Sequence, residues 1–172
     1  VSTHVSQDFG KQNPELVQLP ELDLSAVDAY HNRRDPLEIV RLQRKTAEFN
    51  APFGKPVLIT EFGGSPMAAD LRHLRLELHA ALWSSVATGV AGAPLFWWWQ
   101  VVEEETLYPM YRALGRFMAG EDRRDPGLQQ AQLRILDAGG APVPGSHLEC
   151  IALVSPRGGW GWLYDAGPRF SA

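Results

Sequence analysis

The sequence feature that most constrains the fold is a short apolar run that ends in a carboxylate. Val57, Leu58 and Ile59 are consecutive apolar residues, a pattern typical of a strand buried on both faces of a parallel sheet. Pro56 stands at the start of this strand, where a missing N–H costs little. Glu61 follows the run, and α/β folds place their chemistry at the C-terminal ends of parallel strands. Glu61 is therefore a candidate catalytic residue; the alternative is an ordinary solvated charge at a strand exit.

Strand and helix patterns alternate around this run over residues 1–119. Strands are predicted at residues 1–6, 22–30, 56–61 and 93–99. Helices are predicted at residues 35–50, 68–88 and 107–118, with the acidic residues 103–105 in a loop. This alternation implies parallel strands with right-handed crossovers, as in half of a (β/α)8 barrel or in part of an open doubly wound sheet. No strand precedes a Gly-x-Gly-x-x-Gly or Walker sequence, which disfavours nucleotide binding.

The pattern changes after a charged, glycine- and proline-containing linker at residues 120–127. Beyond it, apolar residues recur at every second position, which predicts antiparallel strands at residues 132–137, 148–154 and 160–164. Residues 155–159 are predicted to form the hairpin turn between the last two strands. We therefore expect an α/β domain over residues 1–120 and a small antiparallel β domain over residues 121–172.

Composition excludes several classes of function. With 45% apolar and 21% charged residues the chain is globular with a substantial core, and a net charge of -4 leaves no basic surface for nucleic acid. Cys150 is the only cysteine, which excludes a disulfide framework and a cysteine-based zinc site. His73 and His79 are six positions apart, the wrong spacing for two metal ligands on one helical face. We expect no metal, no cofactor and no membrane span.

Both ends of the sequence suggest a piece of a longer protein. Val1 is not a methionine and already lies in a strand pattern, and residues 167–172 contain no closing element. The interpretation is that the chain is a fragment. Its compartment stays open, with secretion or the periplasm among the options.

Three consecutive features of the sequence resemble a known family. They are the preceding strand that ends at Tyr30, residues 55–63, Lys-Pro-Val-Leu-Ile-Thr-Glu-Phe-Gly, and the following strand that ends in three tryptophans. They are similar to the C-terminal half of clan A glycoside hydrolases, most of all to the cellulase-like and mannanase-like enzymes of family 5. The resemblance covers residues 1–119. It implies the fifth to eighth strands of a TIM barrel, and the tail resembles the small β-sandwich appended to many such enzymes.

The resemblance also implies roles for particular residues. Glu61 closes the seventh strand, where the clan carries its nucleophile, and the acid/base glutamate ends the fourth strand, upstream of Val1. A retaining glycosidase needs these two carboxyls about 5–5.5 Å apart. Tyr30 corresponds to a residue that donates a hydrogen bond to the nucleophile; its structural alternative is a core aromatic with a satisfied hydroxyl. The implied partner is a β-linked glucan, mannan or related oligosaccharide.

Four further residues are candidates for substrate binding. Trp97 and Trp99 share one face of the predicted strand and suit stacking on a sugar ring, with Trp99 as the outermost and first choice. Asp28 lies near the end of the strand before Glu61, where relatives often carry a histidine. His4 lies near the end of the first strand, within reach of the same cleft. The acids at 103–105 are an alternative source of the second carboxyl, although such runs are more often solvated.

Two other functions fit the same pattern. One is a non-catalytic carbohydrate-binding relative that keeps the aromatic cleft and has lost the acid/base. The other is a structural or interaction module in which Glu61 is an exposed strand exit.

Overall fold

The computed structural model describes residues 2–5, 9–64 and 70–167 of the chain. Three parallel strands form one sheet in the order β1-β2-β3, with β1 at Ser2–Val5, β2 at Leu24–His31 and β3 at Val57–Gly64. A second sheet is antiparallel, in the order β4-β5-β6. Its strands are Gln129–Leu133, Leu148–Ser155 and Gly158–Asp165. The helices are α1 Pro14–Val17, α2 Glu38–Asn50, α3 Leu71–Val86, α4 Trp99–Glu104 and α5 Tyr108–Phe117. The described residues therefore form a mixed α/β fold.

Local sequence explains where the long helices begin. Asp70 caps α3, because its Oδ1 accepts a hydrogen bond from the backbone N–H of His73 at 2.8 Å. The sequence predicts a helix from residue 35, but α2 begins three residues later at Glu38. The Asp35 carboxylate instead accepts from the N–H of Leu37 at 2.9 Å and holds a turn ahead of the helix.

The core lies between the parallel sheet and the two long helices. Val27, Ile59 and Phe62 of the sheet share one buried cluster with Ile39 of α2 and Leu78 of α3. The cluster extends to Ile151 of β5, through which the antiparallel sheet packs on the helical layer. The division into domains at residues 120 and 121 stays a prediction.

Polar side chains are buried within this helical layer as well. Gln43 of α2 donates from Nε2 to the carbonyl of Ala81 at 2.9 Å and accepts from the Ser84 hydroxyl at 3.1 Å. Asn50 and Gln12 exchange amide hydrogen bonds at the end of α2. Because these three buried amides are hydrogen-bonded, they tie α2 to α3 and to the loop before β2.

The predicted strand at residues 93–99 is wrong in its extent. Only Phe96 forms a parallel bridge, opposite Phe62 of β3, where the Phe62 N–H donates to Leu95 O at 2.9 Å. Trp99 already belongs to α4, so the acids at 103 and 104 are helical instead of forming a loop. Pro94 has no N–H to donate to a ladder, which limits the pairing on this side. The segment still runs beside β3, but barrel closure stays a prediction.

The antiparallel sheet differs from its prediction mainly at its first strand. β4 occupies Gln129–Leu133 and lies a few residues before the predicted segment, whereas β5 and β6 match their predicted positions. Ser155 pairs with Gly158, so the hairpin turn contains only Pro156 and Arg157. Gly158 has a φ of 141°, a conformation that side chains rarely adopt, which explains a glycine at the end of this turn.

Candidate active site

The C-terminal ends of β2 and β3 present three polar residues on one face of the parallel sheet. Val27 and Ile59 pair in register and face the helices, as their place in the core cluster shows. Side chains alternate along a strand, so Asp28 and Tyr30 of β2 point to the opposite face. Asp28 pairs in register with Glu61 of β3. The candidate site is this group of Asp28, Tyr30 and Glu61.

A β-bulge puts Glu61 on that face. Ile59 pairs with Val27, and the next pair is Glu61 with Asp28, so Thr60 is an extra residue on β3. Without the bulge, Glu61 would be two positions from Ile59 and would share its helix-facing side. Bulges reorient a side chain and are common next to active sites. The bulge therefore moves the Glu61 carboxylate from the core side to the polar side of the sheet.

A hydrogen bond joins the two candidate catalytic residues. The Tyr30 hydroxyl donates to Oε2 of Glu61 at 2.8 Å, and both side chains are half-buried. Burial raises the pKa of Tyr30 well above its ordinary value, and the hydrogen bond to Glu61 and the negative charges of Glu61 and Asp28 raise it further. Tyr30 is therefore a hydrogen-bond donor at ordinary pH. Its hydroxyl restrains one carboxylate oxygen of Glu61 and leaves Oε1 for other contacts.

Asp28 lies beneath this pair and is held by the bulged residue. Its side chain is only 2% exposed. The Thr60 hydroxyl is 3.2 Å from Oδ1 of Asp28 and 3.2 Å from the carbonyl oxygen of Val27. The same residue that reorients Glu61 thus also binds the neighbouring carboxylate. Asp28 is a buried part of the site's charge environment.

The exposure and contacts of Trp97 and Trp99 differ from what alternation along one strand predicts. Trp97 is 44% exposed and meets the Tyr30 ring edge-on, with ring centroids 6.5 Å apart. Trp99 is 63% exposed on the first turn of α4 and lines a pocket of about 440 Å³ with residues of α4 and α5. The prediction ranked Trp99 first, but Trp97 is the tryptophan in contact with Tyr30. The cause is the turn at Trp98, where the chain leaves the sheet and enters α4.

Gly63 is a residue of the site that the sequence did not single out. A Cβ on Gly63 would lie 2.8 Å from Nε1 and 3.1 Å from Cδ1 of the Trp98 indole. The close approach requires glycine, because a real Cβ atom does not come this near to another heavy atom. Gly63 pairs in register with Tyr30, so the indole of Trp98 packs where β3 passes the site. The backbone of His4 pairs with Ala26, and its side chain lies outside the described residues.

The other face of β2 contains a buried ionisable pair that the sequence analysis did not find. His31, one residue beyond the predicted strand at residues 22–30, is the last residue of β2. Its Nε2 lies 2.8 Å from Oε1 of Glu77 on α3, with side chains 5% and 0% exposed. Two sequence patterns indicate this pair. His31 continues the alternation of Val27 and Ala29, and Glu77 falls on the leucine face of α3.

Residues 2–5, 9–64 and 70–167 contain no cluster of three or more His, Cys, Asp or Glu side chains suited to a metal ion. No helix in the described part of the chain has the length and apolar character needed to cross a membrane.

No family model matches the chain, and no curated protein matches it. Among solved structures it is similar to an engineered protein, with 12% identity and a TM-score of 0.38 over 95% of this chain and 53% of that one. It is similar to a modular endo-β-1,4-mannanase of glycoside hydrolase family 26 from Cellulomonas fimi, with 14% identity and a TM-score of 0.36 over 95% and 52%. A double mutant of the Cellulomonas fimi mannanase gives 13% and 0.35 over 94% and 52%. The chain spans about half the length of these structures, and similarity at this level carries no argument about its activity.

Proposed function

We propose that this chain is part of a retaining glycoside hydrolase that acts on a β-linked glucan, mannan or related oligosaccharide, with Glu61 as the nucleophile. The observation that carries the proposal is the 2.8 Å hydrogen bond from Tyr30 to Glu61. It lies at the C-terminal ends of adjacent parallel strands, where α/β enzymes place catalytic groups. The resemblance of residues 55–63 to clan A enzymes supports the same assignment.

In this mechanism Glu61 attacks the anomeric carbon of the sugar. The new bond forms from Oε1, because Oε2 accepts the hydrogen bond of Tyr30. The bond from the anomeric carbon to the leaving oxygen breaks, and a second carboxyl group protonates that oxygen. Water, deprotonated by the same second group, then releases the sugar from the Glu61 ester with net retention of configuration. Tyr30 fixes the direction of the attacking carboxylate throughout.

The second carboxyl group is proposed to come from the part of the protein before Val1, as the resemblance implies. Asp28 is the nearest carboxylate to Glu61 in the strand register, but it is nearly inaccessible and already accepts from Thr60. A buried carboxyl group does not contact the leaving oxygen of a substrate that binds from solvent. Asp28 is instead proposed to shape the site around Glu61.

Trp97 is proposed as the sugar-stacking residue of the site. Its indole is partly exposed and touches the ring of Tyr30, so a sugar bound beside it lies close to the Tyr30–Glu61 pair. Trp99 is proposed to contact the substrate farther along, since its pocket is formed by α4 and α5. His4 stays a proposed cleft residue on the position of its backbone alone.

The test uses the complete gene product and a panel of p-nitrophenyl β-glycosides together with galactomannan and carboxymethyl cellulose. Glu61→Gln is expected to lower kcat by at least about 10⁴-fold, the scale of removing a nucleophile. The matched control is Glu48→Gln, an exposed carboxylate on α2 that pairs with Arg44 at 3.8 Å and lies away from the site. It is expected to retain full activity.

A nucleophile is distinguished from any other essential carboxylate by chemical rescue. In Glu61→Ala, azide enters the space left by the carboxylate, attacks the anomeric carbon and gives a glycosyl azide of inverted configuration. Rescue with this product supports the proposal. Full activity of Glu61→Gln would refute it. Tight binding of galactomannan without turnover in the wild-type protein would indicate the non-catalytic carbohydrate-binding relative.

A further inference from the structure

The buried contact between His31 and Glu77 lies directly behind the candidate site. The two side chains are almost fully removed from solvent, and Nε2 of His31 is 2.8 Å from Oε1 of Glu77. The two atoms are close enough to interact directly, although their arrangement does not meet the angular criteria of a hydrogen bond. Burying two ionisable groups is costly, and an apolar pair of similar volume stabilises a core at least as well. The pair therefore calls for a reason other than stability.

The reason lies in which residues of β3 pair with the end of β2. Tyr30 pairs in register with Gly63, and His31 pairs with Gly64. Two glycines offer no side chains against which the end of β2 can pack. Gly63 is needed for the approach of Trp98, so a larger residue is not an alternative there. On the helical side, Glu77 supplies a side-chain contact to this strand end.

Alternation along β2 links that support to the site. His31 and Tyr30 are consecutive and point to opposite faces of the sheet. A restraint on His31 from α3 therefore restrains the backbone that carries Tyr30. The Arg33 N–H also donates to Nδ1 of His31 at 3.3 Å, so the same ring holds the turn that leaves β2. A shift of this strand end would move the Tyr30 hydroxyl away from Glu61.

We infer that His31 and Glu77 are positioning residues, which anchor the end of β2 to α3 and so keep the Tyr30 hydroxyl on Glu61. The inference rests on the proposed function of Glu61. It goes beyond that function because it assigns a role in the reaction to residues that never meet substrate. The rival explanation is that the pair contributes only to folding stability.

The two explanations differ in a double-mutant cycle measured on the complete gene product with the best p-nitrophenyl glycoside of the panel. Glu77→Gln is expected to lower kcat by about 10-fold, within the range for misplaced catalytic groups, with KM unchanged. If Glu77 acts through Tyr30, the double variant Glu77→Gln with Tyr30→Phe has the same kcat as Tyr30→Phe alone. If the pair is merely structural, the two effects on kcat multiply.

A matched control and a second variant keep the test decisive. Ser84→Ala removes another buried polar side chain of α3, one that donates to Gln43, and it is expected to lower the unfolding temperature with kcat unchanged. His31→Gln tests the other partner and serves if Glu77→Gln does not fold. Wild-type kcat in Glu77→Gln, or multiplicative effects in the cycle, would overturn the inference while an inactive Glu61→Gln leaves the proposed function intact. An active Glu61→Gln would refute the proposed function itself.

Discussion

The hydrogen bond between Tyr30 and Glu61 makes a quantitative prediction for Tyr30→Phe. The substitution removes one hydroxyl oxygen and keeps the ring that meets Trp97. A hydrogen bond to a charged group contributes about 1.5–3 kcal/mol. The site is half-buried, so water replaces part of the lost interaction and the lower end of the range applies. A loss of about 1.5 kcal/mol of transition-state stabilisation corresponds to a decrease in kcat of about 10-fold.

The assay is steady-state hydrolysis of a p-nitrophenyl β-glycoside by the complete gene product. Tyr164→Phe is a matched control, because the Tyr164 hydroxyl also donates to a glutamate, Glu149, at 2.7 Å, but does so within the antiparallel sheet. That hydrogen bond does not involve the candidate site, so the control is expected to keep wild-type kcat. A kcat of Tyr30→Phe within twofold of the control would refute the argument that Tyr30 orients Glu61.

The same substitution has a consequence for stability at alkaline pH. The pKa of Tyr30 is raised in the folded protein by burial, by its hydrogen bond to Glu61 and by nearby negative charge. A raised pKa contributes stability that is complete below the unfolded-state value of about 10 and is lost as pH rises beyond it. Unfolding free energies measured by urea titration above pH 10 are therefore expected to fall less steeply in Tyr30→Phe than in wild type. Equal slopes of the unfolding free energy against pH in the two proteins would show that folding does not raise the pKa of Tyr30.

Gly63→Ala is expected to lower the unfolding free energy by about 2 kcal/mol, because its Cβ would lie 2.8 Å from the rigid indole of Trp98. Gly115→Ala, in open space on α5, is the control and is expected to stabilise by about 0.5–1 kcal/mol; equal urea midpoints for the two variants would contradict the clash. Trp97→Ala is expected to raise KM for p-nitrophenyl glycosides more than Trp99→Ala does, because the Trp97 ring meets the ring of Tyr30. The reverse order of KM values would restore Trp99 as the stacking residue.

Much of the parallel sheet followed from local sequence. Apolar runs bounded by Pro, Gly and polar residues predicted β2 and β3 and the helices α2 and α3, with errors of a few residues at their ends. Asp28, Tyr30 and Glu61 were expected near one another because the C-terminal ends of parallel strands meet at one edge of a sheet. These features depend on neighbours in sequence or on a general property of parallel sheets, which is why a single sequence predicts them.

The rest depends on contacts between distant residues. The bulge at Thr60 arises from the pairing of β2 with β3, and no residue type within β3 predicts it. The predicted strand stops before His31 because its partner, Glu77, is 46 positions away. The predicted strand at residues 93–99 failed because Phe96 alone docks on Phe62, after which the chain turns into α4. The positions of Trp97 and Trp99 follow from that turn.

The role of Glu61 as a nucleophile is tested most directly by trapping the covalent intermediate. A 2-deoxy-2-fluoro glycoside with a good leaving group slows the release of the sugar from the enzyme, so the ester accumulates. Incubation of the complete gene product with the 2-fluoro analogue of its best substrate, followed by proteolysis and mass spectrometry, is expected to find one glycosyl unit on the peptide that contains Glu61. A label on a different carboxylate, or undiminished turnover without any label, would contradict the assignment.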